Sequence, residues 1–200
     1  MLKIYHVPGT RSVRPVWLCY ELELAVEIER IDFSAAFRNS QEWRAISPAG
    51  KVPAMTDGDM TMVESGAMVD YILERYGDGR LRPAPGTAES AIYHQWCWFS
   101  EATLVRPLAL NRLLKLEAEP NDAVAAEGVQ KTRVCLEVVD QAVSDRDFLL
   151  GAEFSAADIM MGFSLRLLAN IKVLDDQYPN VQAYLERLKI RDAYSRAMSA

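Results

Sequence analysis

The chain has 200 residues, 50% hydrophobic and 25% charged, an ordinary soluble globular balance with length for one large domain or two small ones. A net charge of −6 and an isoelectric point near 5.1 count against nucleic acid or an anionic membrane as the main partner. The first residues run straight into strand-like sequence, with no signal peptide and no apolar run long enough to span a bilayer, so a cytoplasmic protein is expected.

Residues 2–6 alternate apolar and polar and read as a strand. Val7, Pro8, Gly9, Thr10, Arg11 and Ser12 form a turn-rich loop. A helix follows over 13–24, with Val13, Val16, Trp17, Tyr20 and Leu24 as its apolar stripe and Pro15 in its first turn. Residues 26–31 read as a second strand, and strand–helix–strand at this spacing predicts a right-handed parallel unit. A short helical piece over 39–45 is broken by Ser47, Pro48, Ala49 and Gly50. Strands over 52–55 and 60–63 flank the hairpin turn Asp57, Gly58, Asp59. A helix over 65–76, burying Met68, Tyr71, Ile72 and Tyr76, is closed by Gly77. The order β-α-β then β-β-α is thioredoxin-like.

After residue 79 the pattern changes. Residues 80–86 hold Pro83, Pro85 and Gly86 among few apolar side chains and read as a linker. From 87 to 200 the readings are all helical: 87–116 with Thr87 as N-cap and a kink at Pro107, 121–143 capped by Asn121, one starting after Ser155, and 180–188. Ser155 and Asp158 have capping-box spacing, a structural role. The predicted organisation is therefore a thioredoxin-like α/β domain over 1–79, a linker over 80–86, and an all-helical domain over 87–200. Cys19, Cys97 and Cys135 are far apart and read as reduced, buried thiols. His6 and His94 are the only histidines, too far apart in sequence to suggest a metal site, and no metal is expected.

Two motifs carry the chemistry. Lys51, Val52, Pro53 and Ala54 place a proline at a strand start, where it costs no ladder bond. An X–Pro bond can be cis, which bends the chain and leaves the N–H and C=O of Val52 open to an extended, peptide-like ligand. Glu64, Ser65, Gly66 and Ala67 open a helix, whose free N–H groups and partial positive charge suit a ligand carboxylate. Ser65 adds a hydroxyl and Glu64 a carboxylate for an ammonium group. A ligand with a peptide-like middle, an α-carboxylate and an α-amine satisfies all of these groups.

These two motifs in this order resemble the glutathione site of the soluble, cytosolic-type glutathione S-transferases, and glutathione is such a ligand. The resemblance covers the whole chain. It includes the second-domain signature in Phe148, Leu149, Leu150, Gly151 and Phe154, Ser155, Ala156, Ala157, Asp158. It implies a serine/threonine-type, bacterial-like member, a homodimer that conjugates glutathione to an electrophilic apolar compound as a detoxification enzyme. The alternatives are an interaction module of the same fold, or a glutathione-dependent peroxidase or isomerase. Maleylacetoacetate isomerase fits poorly, because its serine- and cysteine-rich loop is not found here.

Such chemistry needs a thiolate, so the protein must lower the thiol pKa by roughly two units, about 2.7 kcal/mol. The family uses tyrosine, serine or cysteine near the first loop, and this loop has no cysteine. Counted back from Arg14, Thr10 falls where the serine-type classes keep their serine; Ser12 lies two residues on. Tyr5 is close to the family's tyrosine position but is expected to point into the sheet. Helix capping is the plainer role for either loop hydroxyl. Arg38 or Asn39 falls where several classes grip the glycine carboxylate, Lys51 stands beside the ligand, and Arg11 is a further anion contact. The second substrate is expected against the long helix that carries Tyr93, Trp96, Phe99, Arg106 and Asn111.

Overall fold

The computed structural model describes residues 1–107 and 122–200. The expected stretch 108–116, with Asn111, and the cap Asn121 lie outside the described residues. The chain divides into two units, Met1–Leu81 with Lys189–Ala200 and Arg82–Leu188.

The first unit carries β1 (Leu2–His6), α1 (Val13–Glu21), β2 (Glu27–Arg30), α2 (Ala35–Arg38), α3 (Gln41–Ile46), β3 (Ala54–Asp57), β4 (Met60–Val63) and α4 (Ser65–Tyr76). The sheet order is β2-β1-β3-β4: β1 runs parallel to β2 and antiparallel to β3, and β3 pairs antiparallel with β4. The thioredoxin-like order read from the sequence is the order observed. Along β1 the side chains alternate, so Leu2, Ile4 and His6 are buried on one face while Lys3 and Tyr5 take the other. Tyr5 meets Trp43 of α3 edge-on at 5.6 Å. Val16, Trp17 and Leu18 of α1 and Met68, Ile72 and Leu73 of α4 are fully buried, each contributing roughly 1.5–3 kcal/mol by leaving water.

Helix α1 stops at Glu21, not at residue 24, because Glu23 takes φ 57 and turns the chain out of the helix. The amides of Glu23 and Leu24 donate to the carbonyls of Tyr20 and Cys19, which closes the last turn as a Schellman motif. Ser34 and Ser40 cap α2 and α3, accepting from the amides of Phe37 and Trp43.

The second unit holds α5 (Ala88–Trp98), α6 (Asp122–Ala142) and α7 (Ala156–Asn170), and α8 (Pro179–Lys189) closes it. Thr87 caps α5 by accepting from the Ser90 amide. The helix expected to run unbroken from 87 changes pitch at Phe99–Leu104, which is π-helical. The bend follows at Val105, before Pro107. Helix α7 is apolar nearly all round and buried along most of its length, the pattern of a central helix. Its first turn is held by Asp158, whose carboxylate accepts from the Leu149 amide, the Ser155 amide and hydroxyl, and the Tyr184 hydroxyl at 2.7–3.0 Å. Burial pushes this carboxyl above the usual carboxylate range against the pull of those donors.

A further helix, α9 (Asp192–Ser199), was not expected from the sequence. The predicted helical domain reached residue 200, but the last twelve residues pack with the first unit. The reason is a specific seat on α1. Arg191 grips both oxygens of Glu21 at 2.7 Å, Tyr194 meets Trp17 edge-on at 4.9 Å, and the Arg196 guanidinium lies 4.1 Å from the Tyr20 ring centroid.

Candidate active site

The sheet register assembles the site. Tyr5 is opposite Ala54, and Ala54 is opposite Val63. The end of β1, the start of β3 and the end of β4 therefore lie at one edge of the sheet. The loop 7–12, the Val52–Pro53 pair and the Glu64–Ser65 pair all leave from that edge.

The Val52–Pro53 bond is cis, and Pro53 is buried. Among the described residues nothing pairs with the main-chain N–H or C=O of Val52. The loop before it is tied down: Ser47 Oγ donates to Lys51 O at 2.8 Å and accepts from Lys51 N at 3.2 Å. Gly50 has φ +61, and a Cβ there would stand 2.7 Å from Arg38 O and 2.9 Å from Arg44 Cζ. That close approach brings the backbone of Arg38 against Gly50, the residue before Lys51, with the Arg38 guanidinium over the Phe33 ring at 4.9 Å.

Glu64 is exposed and takes φ 73, a left-handed conformation that costs a non-glycine residue about 1–3 kcal/mol. The turn aims Ser65 into the first position of α4. Ser65 Oγ accepts from the fully buried guanidinium of Arg14, Nη1 at 3.1 Å, so its own proton is left to donate. Arg14 is not among the site residues expected from the sequence. Its signal was an arginine set among Val13, Pro15, Val16 and Trp17 at the buried start of a helix.

The two loop hydroxyls have different surroundings. Ser12 is fully buried, and its Oγ lies 2.9 Å from His6 Nδ1, 2.8 Å from Thr10 Oγ1 and 3.1 Å from both Val7 N and Val7 O. Thr10 is half-buried, and its Oγ1 also donates to Val7 O at 2.8 Å. Tyr5 lies on the opposite face from His6, against Trp43. His6 is fully buried, and its Nε2 is 3.2 Å from the main-chain oxygen of Ala200. Burial, with the nearby charge of Arg30, lowers the imidazole pKa below its ordinary value.

In the second unit Trp96 is buried and meets half-buried Phe99 edge-on at 5.5 Å, while Arg106 is exposed. Among the described residues no cluster of His, Cys, Asp and Glu is placed to hold a metal ion, and no helix is long and apolar enough to cross a membrane.

Residues 1–74 match the glutathione S-transferase N-terminal domain, and residues 122–187 match the C-terminal domain. Glutathione S-transferase F12 of Arabidopsis thaliana is 30% identical, over 80% of this chain and 78% of its own length. The chain belongs to the glutathione S-transferase family. Glutathione S-transferase 3 of Schizosaccharomyces pombe is 25% identical over 96% of this chain and 85% of its own. The solved ternary complex of BphK, a bacterial transferase of this family, aligns with TM-score 0.85 and 26% identity, covering 98% of each chain. The two-domain order expected from the sequence is thus the family's, and the protein is a glutathione transferase enzyme.

Proposed function

We propose that the first unit binds glutathione at the sheet edge and that Thr10, rather than Ser12, acts on its sulfur. The observation that carries this is the pair of open main-chain groups on Val52 beside the Ser65 hydroxyl and the Thr10 loop. Val52 pairs with the peptide-like middle of the ligand, as a sheet edge does. Ser65 and the first amides of α4 hold the γ-glutamyl carboxylate, and Glu64 holds the ammonium group. Arg38 and Lys51 take the glycine carboxylate.

Ser12 gives its proton inward and has no exposed surface. Thr10 reaches the surface and turns its proton from Val7 O to the sulfur. A hydroxyl donating to a thiolate favours the charged form, and so does the positive end of α1 behind the loop. The thiolate attacks an electrophilic carbon, forming a C–S bond while a leaving group departs with its electron pair or a double bond takes up a proton. Trp96, Phe99 and Arg106 of the helical unit are the proposed contacts for an apolar electrophile. A cytoplasmic homodimer is the proposed assembly, two-fold pairing being the commonest closed form.

Substitution separates binding from activation. Ser65→Ala is expected to weaken glutathione binding by about 1–3 kcal/mol, the worth of a hydrogen bond to a charged group. Thr10→Ala is expected to lower kcat by about tenfold or more with KM for glutathione nearly unchanged. A Thr10→Ala enzyme with normal kcat would remove Thr10 from the chemistry.

A further inference from the structure

The thiol proton must go somewhere, and a line of hydrogen-bonding groups runs inward from the Thr10 loop. Three contacts link the loop to the interior: Thr10 Oγ1 to Ser12 Oγ at 2.8 Å, Ser12 Oγ to His6 Nδ1 at 2.9 Å, and His6 Nε2 to Ala200 O at 3.2 Å. The main-chain oxygen of Ala200 only accepts, so Nε2 carries the hydrogen and Nδ1 of the neutral ring carries the lone pair; the tautomer is assigned from this network. Nδ1 at 2.9 Å and Val7 O at 3.1 Å both lie within reach of the one Ser12 proton, and Val7 O at 2.8 Å and Ser12 Oγ at 2.8 Å within reach of the Thr10 proton. With Ser12 turned to Nδ1, its oxygen accepts from the Val7 amide and from Thr10 when Thr10 turns away from Val7 O. Every hydroxyl along the line can point inward, from the surface to the imidazole.

We propose that His6 is the proton acceptor of a relay, taking the thiol proton of glutathione through Thr10 and Ser12. The inference rests on Thr10 being the hydroxyl at the sulfur. The S–H proton passes to Thr10 Oγ1, the Thr10 proton to Ser12 Oγ, and the Ser12 proton to His6 Nδ1. One S–H bond breaks and one N–H bond forms, each hydroxyl ends with one proton, and the S–H electron pair stays on sulfur. The shift reverses the whole line. The imidazolium then donates to Ser12, Ser12 to Thr10, and Thr10 to the thiolate, so each proton supports the new charge. The arrangement follows the logic of an activated nucleophile, with a base held in one tautomer by a third group.

The surroundings of His6 fit a base that is empty at rest. It is fully buried on β1, with Arg30 as its cross-strand partner on β2, Ser12 on the α1 side and the Ala200 oxygen at the end of α9. Arg30 Nη2 is itself engaged with Ser199 O at 2.7 Å. Burial and the Arg30 charge press the imidazole pKa below its ordinary value, against the upward pull of the Ala200 and Ser12 hydrogen bonds, the direction that favours an unprotonated base. A thiolate at the far end of the line supplies the opposite charge.

The test counts protons. Glutathione is titrated calorimetrically into the full chain near neutral pH in two buffers of different ionisation enthalpy, and thiolate is measured in the same samples by ultraviolet absorbance. S-methylglutathione, which has no thiol proton, is the control. The wild-type protein is expected to form thiolate with little proton release to buffer. His6→Asn keeps an acceptor for Ser12 but cannot hold the proton. It is expected to release one proton for each thiolate formed and to hold about tenfold less thiolate at neutral pH. Ser12→Ala, which cuts the line, is expected to behave the same way. Wild-type release of a full proton per thiolate overturns the relay and leaves the Thr10 reading standing. Absence of thiolate in the wild type, or thiolate indifferent to Thr10→Ala, overturns the Thr10 reading and the relay with it.

Discussion

Buried Ser12 and half-buried Thr10 stand two residues apart, and the difference in their surroundings is the basis of the separate roles proposed for them. Spacing alone could not do this, because both hydroxyls sit in the same turn-rich loop before the same helix. What separates them is a histidine six positions before Ser12 and the oxygen of the last residue, neither of which shows in local sequence. The Val52–Pro53 and Glu64–Ser65 motifs were legible because they depend on local chain geometry: a proline at a strand start and a hydroxyl at a helix start. Arg14 was not, because its partner Ser65 is 51 positions away. His6 also makes a prediction at this scale. Its native pKa is held below the ordinary value of 6.5. Below about pH 6.5 the unfolded imidazole binds a proton that the native ring refuses, so the unfolded state binds more protons and stability falls as pH falls. The contribution is present above that pH and is lost as pH drops toward the native value. Urea unfolding across this range is expected to show a shallower pH dependence for His6→Asn than for the wild type. Equal slopes in the two proteins would show that His6 is not buried neutral.

Among the elements, α7 depends on one side chain. Asp158 gathers four donors from the Leu149–Ser155 link and α8, all inside the second unit. Asp158→Ala leaves those donors buried without an acceptor and is expected to cost about 3–5 kcal/mol in chemical denaturation. A loss below about 1 kcal/mol would mean that water replaces the carboxylate. Its capping role was legible, since Ser155 and Asp158 have the spacing of a capping box. The π-helical turn at Phe99–Leu104 was not, because a slightly wider winding leaves the helical alternation of apolar residues almost intact. Helix α9 was also missed. It is eight residues long, too short to stand by itself, and its buried Ala193, Tyr194 and Ala197 are explained only by α1, at the other end of the chain.

For the whole molecule, an acidic chain binds an anionic tripeptide by local means. The net charge of −6 sets the general surface potential, while the contacts proposed for the ligand carboxylates, Arg38, Lys51 and the start of α4, are local. The order of elements, strand–helix–strand, hairpin–helix, then helices alone, was readable from periodicity and turn residues. It is the order that the family match confirms. The central claim is that glutathione is held as its thiolate by the Thr10 loop. The most direct measurement is the ultraviolet thiolate absorbance of bound glutathione at neutral pH, with the S-methylglutathione complex as baseline. Thiolate absorbance in the wild-type complex, shifted to higher pH in Thr10→Ala, is the predicted result. Bound glutathione that stays a thiol at neutral pH in the wild type would contradict the account.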